Sequence, residues 1–281
     1  MFPIMDPRNS APTPTLPGLR GRGSDNRAAR VTPSPASGGG LGWGFPATLT
    51  ERVLYRDGLV LVIDKPAGIP VHSGPGGGPH LEHWFPLLRF GLPRPPALAH
   101  RLDRDTSGVL VLGRHPKALR RLGKLFAERA VEKVYWAVVA GVPAEPAGRI
   151  EIALRKEVRG AVGWRMVPDP AGQQAITDYR VLGAADGRAW LELRPRTGRT
   201  HQIRVHCAGL GCPVVGDPAY GGPGGTPLQL HARSITLPLY PAKAPIAVSA
   251  PVPPHMLAAL VRLGFDPATD PATPATETVP A

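Results

Sequence analysis

The chain has 281 residues with 42% apolar content, which is enough to bury the core of one large domain or of two small ones. Its formal charge of +12 leaves two classes open, a protein with a polyanionic partner such as nucleic acid and a merely basic soluble protein. Two cysteines, no leader pattern and no apolar run near ~18 residues argue against a disulfide framework, secretion and membrane insertion, so we expect a cytoplasmic protein.

Composition divides the chain into three parts. Residues 1–47 are rich in Pro, Gly, Ser and Arg without apolar periodicity, which predicts a disordered basic arm. Residues 48–265 are expected to form the folded body. Residues 266–281 contain Pro-Ala-Thr-like units and are expected to form a mobile, disordered C-terminal tail.

The folded body begins with short apolar strands. Residues 59–63 are predicted to form the first strand, after an Asp-Gly turn, and residues 109–112 another buried one. Pro116 is expected to begin an amphipathic helix in which Ala118, Leu122 and Leu125 share one face and basic residues lie largely outside it.

The second half of the body favours antiparallel pairing. Residues 134–139 form a predicted strand, and residues 175–182 and 188–194 alternate as a hairpin around residues 185–187. Strands outnumber convincing helices, and no regular strand-helix-strand alternation occurs. The sequence therefore predicts an α+β domain with a central mixed, mainly antiparallel sheet and flanking helices, and it disfavours a doubly wound nucleotide fold.

The densest polar segment is residues 100–108, directly before a predicted buried strand, with two carboxylates and two guanidinium groups. Arginine beside a carboxylate favours its ionised form, which can act as nucleophile, base or cation stabiliser. A salt-bridged turn is the structural alternative. Spacing alone does not choose between Asp103 and Asp105.

A second dense segment, residues 194–206, carries four arginines within eleven residues where a strand is expected to lead into a helix. Arginine forks and the backbone amides of a helix start make an anion cradle, although a solvated basic turn has the same composition.

Lys133 and Tyr135 lie two residues apart on a predicted strand and therefore share a face. Tyr135 could stack on a base or transfer a proton, or be an ordinary half-buried tyrosine.

Other patterns carry weaker signals. His201, His206, Cys207 and Cys212 lack the second close ligand pair that structural zinc sites show, so His206 and Cys207 are expected on a packed helix. The run 74–79 lacks the Gly-Lys-Ser or Gly-Lys-Thr ending of a phosphate loop, and no Gly-x-Ser-x-Gly elbow supports a serine hydrolase.

Taken together, these segments resemble the RluA-type pseudouridine synthases. The signature is His-Arg-Leu-Asp-x-x-Thr-Ser-Gly at residues 100–108, and further blocks match in order at residues 62–72, 133–135, 196–206 and 216–221. The resemblance spans about residues 50–256. It implies the pseudouridine synthase catalytic fold, with a basic active-site cleft across a mixed sheet and no metal or organic cofactor.

The resemblance also implies residue roles. Asp103 would be the catalytic carboxylate, Arg204 its partner and Tyr135 the ring near the target uracil. Ile203 would form an apolar wall, and Arg101 would fill the space left by the flipped base. Arg196, Arg199 and His201 are further substrate-binding candidates, and the flanking phosphates would lie on basic residues: Arg196, Arg199, Lys117, Arg120, Arg121 and Lys124.

The implied activity is isomerisation of a uridine in a loop or bulge of ribosomal or transfer RNA by a monomeric protein. Covalent attack on the sugar and removal of a ribose proton to give a glycal both need an ionised carboxylate, and the resemblance favours the glycal route. Many relatives carry a small N-terminal RNA-binding domain, whereas here we expect only the arm 1–47. Residues 74–96 are unusually rich in Gly and Pro for the segment between the first two blocks. Competing hypotheses are a non-catalytic RNA-binding protein on the same fold and a metal-assisted nuclease that uses Asp103, Asp105 and nearby histidines.

Overall fold

The computed structural model describes residues 49–74, 77–158, 160 and 163–272, which fall in a single unit of the chain. The predicted arm 1–47 lies outside the described residues, as do residues 273–281 of the predicted tail. Among the helices of the described residues, none combines the length and the apolar character that crossing a bilayer requires.

The described residues form twelve strands, three α-helices and four short 3-10 helices. They are β1 (Val53–Arg56), β2 (Val60–Lys65), β3 (Ala97–Leu98), β4 (Ser107–Gly113), α1 (Pro116–Ala127), β5 (Glu132–Ala140), β6 (Ala147–Glu151), β7 (Leu154–Val158), β8 (Trp164–Pro168), β9 (Ile176–Ala185), β10 (Arg188–Pro195), α2 (Gln202–Gly209), β11 (Leu230–Leu237), β12 (Ile246–Ser249) and α3 (Pro254–Arg262), with 3-10 helices at Thr50–Arg52, Leu81–Leu88, Pro218–Tyr220 and Pro267–Thr269.

Ten strands form one sheet in the order β1-β2-β4-β11-β5-β10-β9-β6, and β3 and β12 pair with β4 and β11. Neighbouring strands run antiparallel except for β4 and β11, which are parallel. Strands β7 and β8 form a separate hairpin sheet. The predicted α+β fold with a mixed, mainly antiparallel sheet is therefore confirmed.

Local sequence explains two of the predicted elements. Strands β9 and β10 are joined through Asp186 and Gly187, whose φ angles of 51° and 67° are the two positive values of a type I′ hairpin turn. Helix α1 begins at Pro116 as expected, and its residues Ala118 and Leu122 are buried against the sheet. Both predictions depended only on neighbours in sequence.

The centre of the sheet is where the parallel strands β4 and β11 meet. Gly108 has a φ of +105°, and a Cβ at this position would lie 2.2 Å from the carbonyl oxygen of Ala232. Glycine is therefore required for this close approach. Tyr135 on β5 packs against two apolar clusters, one around β10 and α2 and the other around β2 and β4. This arrangement puts Tyr135 at the boundary between the two halves of the core.

The ordered chain extends beyond the boundary expected at residue 265. Asp266 accepts a hydrogen bond from the backbone of Ala268 at 2.9 Å, at the start of the 3-10 helix Pro267–Thr269. Asp270 is only 8% exposed and forms an ion pair with buried Arg233. The described structure thus continues past residue 265, where the sequence predicts a tail, and the ion pair with Arg233 holds Asp270 on the domain.

Candidate active site

A cavity of about 470 Å³ opens beside the centre of the sheet. Its walls come from the loop before β4, the last turn of α1, β5 and the loop that joins β10 to α2. The structure brings all eight predicted site residues to this cavity: Arg101, Asp103, Tyr135, Arg196, Arg199, His201, Ile203 and Arg204.

The cavity is strongly basic. Among the described residues that line it, Asp103 is the one carboxylate. Six permanently or normally cationic side chains surround it: Arg101, Arg129, Lys133, Arg196, Arg199 and Arg204. A cleft of this charge attracts the phosphates of a nucleic acid while leaving a single negative group at its centre.

The loop before β4 separates the two aspartates between which spacing alone does not choose. The side chain of Asp103 is 19% exposed and lines the cavity. The backbone N–H of Thr106 donates to the carbonyl of Asp103 at 3.2 Å, which closes a turn. Asp105 lies on the outside of this turn, where its Oδ1 accepts from Nε of Arg104 at 3.1 Å. Only Asp103 is therefore presented to a bound molecule.

Lys65 holds this turn from beneath, a role that the sequence did not reveal. Its fully buried Nζ donates to the carbonyl oxygens of Pro66 at 2.8 Å, Arg104 at 2.9 Å and Thr106 at 2.8 Å. Burial lowers the pKa of Lys65 to about 7, and the nearby aspartates oppose that shift. The three carbonyl acceptors favour the ammonium form, which has three N–H donors. The backbone around Asp103 is thereby tied to β2.

Arg204 on α2 faces Asp103 and is held by Asp217. Its Nε and Nη2 donate to the two oxygens of Asp217 at 2.6 and 2.7 Å, and its Nη1 lies 3.6 Å from Oδ2 of Asp103. Burial alone would lower the pKa of Arg204. The bonds to Asp217 and the charge of Asp103 outweigh burial, so the pKa lies above its usual value. Arg204 is thus a fixed cation beside the catalytic candidate. Asp217 lay in a matching block of the sequence, but its role did not follow from the pattern.

Tyr135 and Ile203 form the less polar wall of the cavity. Burial, assisted by the charge of Asp103, raises the pKa of Tyr135 above its usual range, so its hydroxyl keeps its proton. Ile203 is 7% exposed and belongs to the core next to β5. Lys133 lines the same cavity, and its Nζ donates to the carbonyl of Thr197 at 3.5 Å. The shared face predicted for Lys133 and Tyr135 is confirmed.

His201 connects the cavity to two aromatic residues that the sequence did not single out as a group. Its Nδ1 lies 2.7 Å from the hydroxyl of Tyr220, and its Nε2 lies 3.8 Å from Oδ2 of Asp103. Its ring stacks on Trp164 of β8, with centroids 5.2 Å apart. Burial lowers the pKa of His201, although the charge of Asp103 opposes this. Neutral imidazole is therefore favoured at pH 7.

The arginine loop between β10 and α2 is fastened from inside. Oε1 of Gln202, which is 4% exposed, accepts from the hydroxyl of Thr197 at 2.6 Å and from the backbone N–H of Arg199 at 3.0 Å. Nε of Arg196 donates to Asp178 at 2.6 Å on the surface. Nε of Arg199 donates to the carbonyl of Gln174 at 3.2 Å. These bonds hold the loop backbone in place beside the cavity that Arg196 and Arg199 line.

The remaining candidates lie elsewhere. His206 is buried on α2 with Nδ1 2.9 Å from the hydroxyl of Thr177, and Cys207 and Cys212 are buried free thiols. Within the described ranges, no group of three or more His, Cys, Asp or Glu side chains is arranged to hold a metal ion. Helix α1 lines the cavity only through its last turn, and its four basic candidates lie outside the lining: Lys117, Arg120, Arg121 and Lys124.

Comparison with known proteins agrees with this geometry. Residues 59–209 match a family model described as RNA pseudouridylate synthase. An RNA pseudouridine synthase of Zymomonas mobilis is 45% identical over 221 residues, which cover 77% of this chain and 99% of the relative. The chain belongs to the RluA-type RNA pseudouridylate synthases. The resemblance inferred from the sequence blocks is confirmed.

More distant relatives share the fold of this pseudouridine synthase. The mouse mitochondrial pseudouridylate synthase RPUSD4 is 35% identical over 265 residues, covering 78% of this chain and 70% of its own. The structure of human RNA pseudouridylate synthase domain containing 4 superimposes with a TM-score of 0.66 at 31% identity, covering 77% of this chain and 94% of that chain. The chain is therefore an isomerase that converts uridine in RNA to pseudouridine, as the sequence predicted.

Proposed function

We propose that this pseudouridine synthase uses Asp103 as its catalytic carboxylate, with Arg204 and Tyr135 as the groups that hold it and the uracil in place. The observation that carries the proposal is the position of Asp103 inside the cavity, 3.6 Å from Arg204, as the one carboxylate among the described lining residues. The ribose of a nucleotide bound in the cavity would therefore lie next to the negative charge of Asp103.

The chemistry follows from that charge. Breaking the bond between C1′ and N1 of uridine develops positive charge on the ribose, which a nearby carboxylate stabilises. In the glycal route, Asp103 takes the proton from C2′ while uracil leaves with the bonding electron pair. Uracil turns, its C5 attacks C1′ and the proton returns to C2′. Loss of the C5 proton and uptake of a proton at N1 then restore the C5–C6 double bond of the ring. Tyr135 and Ile203 confine the free uracil meanwhile.

The remaining lining residues bind the flipped nucleotide in this proposal. Extruding a base costs a few kcal/mol, and it is easiest in a loop or bulge. Arg101 occupies the place that the base leaves, and Arg196, Arg199 and His201 bind the nucleotide and its flanking phosphates. The cavity volume of about 470 Å³ falls in the range of about 300–1,000 Å³ of ligand pockets.

Tritium release from RNA that carries [5-³H]uridine tests the role of Asp103, because the label is lost when C5 joins the ribose. We expect release by the wild-type protein and none by Asp103→Asn. Asp105→Asn is the matched control, since Asp105 has the same chemistry in the same loop but faces the surface. Release by Asp103→Asn would overturn the assignment, and binding without release by the wild type would favour a non-catalytic RNA-binding protein.

We further propose that the substrate is a specific uridine in ribosomal or transfer RNA and that the protein acts as a cytoplasmic monomer. The catalytic domain would extend from residue 48 to about residue 272, with residues 1–47 as a basic arm that has five Arg and two Asp. Mapping pseudouridine in RNA from cells with and without the gene identifies the target. Light scattering after size exclusion gives the oligomeric state, for which a dimer mass would contradict the proposal.

A further inference from the structure

The hydrogen bonds of Tyr220 determine which nitrogen of His201 carries the proton. The hydroxyl oxygen of Tyr220 accepts the backbone N–H of Met166 at 3.1 Å. Burial raises the pKa of Tyr220, so the hydroxyl also has its own proton to donate. Among the described residues, the acceptor that its hydrogen bonds provide is Nδ1 of His201, at 2.7 Å. A neutral imidazole that accepts at Nδ1 carries its proton on Nε2.

This tautomer directs a donor at the catalytic candidate. Nε2 of His201 lies 3.8 Å from Oδ2 of Asp103, and Nη1 of Arg204 lies 3.6 Å from the same oxygen. Both donors therefore approach Oδ2, which leaves Oδ1 for the nucleotide. Both separations exceed hydrogen-bond length in the free protein, and contacts of this kind in an active site can tighten when the substrate binds.

The side chain of His201 does not serve as a cap for helix α2. His201 precedes α2 with a φ of 52° and a ψ of 16°, a left-handed conformation that is uncommon for residues other than glycine, and its side chain makes no capping bond. Its ring instead lies between the hydroxyl of Tyr220 and the ring of Trp164. A strained residue whose contacts all orient its ring toward one carboxylate fits a functional constraint rather than a helix start.

We infer that His201, held in one tautomer by Tyr220, is a positioning residue that orients Asp103 toward the ribose. The inference rests on the proposed role of Asp103 and reassigns His201 from substrate contact to support of the carboxylate. Neither Tyr220 nor Trp164 touches the reacting atoms in this arrangement. Tyr220 and Trp164 hold the ring of His201 in place, and this ring in turn orients Oδ2 of Asp103.

Two substitutions at residue 201 separate this role from a structural one. Glutamine places its amide nitrogen near the position of Nε2 and can still donate to Asp103, whereas asparagine reaches only the position of Nδ1. Asparagine tolerates the left-handed conformation better. A purely structural role therefore predicts that His201→Asn is the better variant. The inference predicts the opposite order.

We expect His201→Gln to keep kcat for tritium release within about fivefold of the wild type, and His201→Asn to lose about ten- to a hundredfold, with KM for RNA within about twofold in both. Equal kcat values in the two variants, or a higher kcat in His201→Asn, would overturn the inference. Thermal unfolding of both variants is measured alongside to establish that they are folded.

The pH dependence of kcat in Tyr220→Phe gives a second readout, which holds even if both variants at residue 201 fold poorly. Without the Tyr220 hydroxyl, neutral His201 is free to carry its proton on Nδ1, so Nε2 no longer donates to Asp103 and kcat should fall at pH values above the pKa of His201. Both nitrogens of the protonated ring are donors, so the loss should become smaller as the pH falls. The charged and titratable groups that face the ring are Asp103, Arg101, Arg204, Asp217 and Tyr220. A kcat in Tyr220→Phe that equals the wild-type value at every pH contradicts the inference.

Asp103→Asn distinguishes failure of the proposed function from failure of this inference. Activity in Asp103→Asn would overturn the proposed function. If Asp103→Asn is inactive and Tyr220→Phe behaves like the wild type, only the inference on His201 fails.

Discussion

Arg204 and Asp217 form a two-bond ion pair that leaves the third guanidinium nitrogen, Nη1, 3.6 Å from Asp103. The side chain of Asp217 is fully buried, and that of Arg204 is 12% exposed. Two parallel bonds hold the planar guanidinium in one orientation. The position of the cation beside Asp103 is thus set by a residue that does not line the cavity.

Asp217→Asn should therefore impair catalysis more than RNA binding. The neutral amide keeps at most one of the two bonds, so Arg204 turns away from Asp103 and kcat for tritium release should fall about ten- to a hundredfold. RNA affinity, measured by filter binding, should change less than about threefold. Asp169→Asn removes a partly exposed carboxylate that pairs with Arg155 outside the cavity lining and is the control, with unchanged kcat. An unaltered kcat in Asp217→Asn contradicts the prediction.

Lys65→Met should destabilise the protein and inactivate it. Methionine fills a similar volume but leaves the carbonyl oxygens of Pro66, Arg104 and Thr106 without their donor. We expect the free energy of unfolding to fall by about 2–4 kcal/mol, since unsatisfied buried acceptors are costly. Urea denaturation measures this fall. Exposed Lys156→Met should leave stability within about 0.5 kcal/mol, and equal stability of the two variants would contradict the role given to Lys65.

The sequence predicted those parts of the site that depend on short-range patterns. The hairpin through Asp186 and Gly187 follows from two neighbouring residues, and the basic segment before α2 lies at the junction that its pattern indicated. Spacing alone did not choose between Asp103 and Asp105, and the family resemblance selected Asp103. The structure adds the physical difference, because the two side chains lie on different sides of the turn. The spacing of the two residues cannot predict which side chain faces the cavity, because this depends on where the sheet places the following strand β4.

Long-range partners could not be predicted. Lys65 bonds to Thr106, 41 positions away, and Arg233 pairs with Asp270. Each partner is of a common residue type without a local signature, and each bond exists only because the strands of the sheet bring its two segments together. The same reason explains why the role of Tyr220 beside His201 emerged only from the structure.

Arg199→Gln should weaken RNA binding through the phosphates. Arg199 lines the cavity, where its guanidinium can replace counterions on the RNA backbone. We expect a weaker affinity together with a salt dependence whose logarithmic slope is smaller by about 0.7–0.9, the value of one phosphate contact. Binding measured from low to moderate salt checks both. Arg262→Gln on α3, outside the cavity lining, should keep the wild-type slope, and an unchanged slope in Arg199→Gln contradicts the contact.

The stability of the protein should depend on pH through Asp64. Burial raises the pKa of Asp64 to about 6 from its usual 3.8, although Arg52 and Lys65 oppose the shift. Because the folded pKa lies above the unfolded one, the contribution of this carboxyl is fully present below about pH 4 and is lost as pH rises through 6. The wild type should lose about 3 kcal/mol relative to Asp64→Asn between those limits. Urea denaturation across pH 4–7 measures this, and a constant difference contradicts it.

Asp270→Asn should show that residues 266–272 belong to the folded domain. Arg233, with its guanidinium 4.4 Å from the centre of the Trp136 ring, is 5% exposed, and its ion pair with Asp270 compensates its charge. The amide leaves that buried charge without its counterion, so the free energy of unfolding should fall by about 3 kcal/mol or more. Asp266→Asn alters only a surface cap a few residues earlier and should cost about 1 kcal/mol or less. If both variants unfold at the wild-type urea concentration, these residues do not contribute to the stability of the domain, and its boundary lies before residue 266 as the composition indicated.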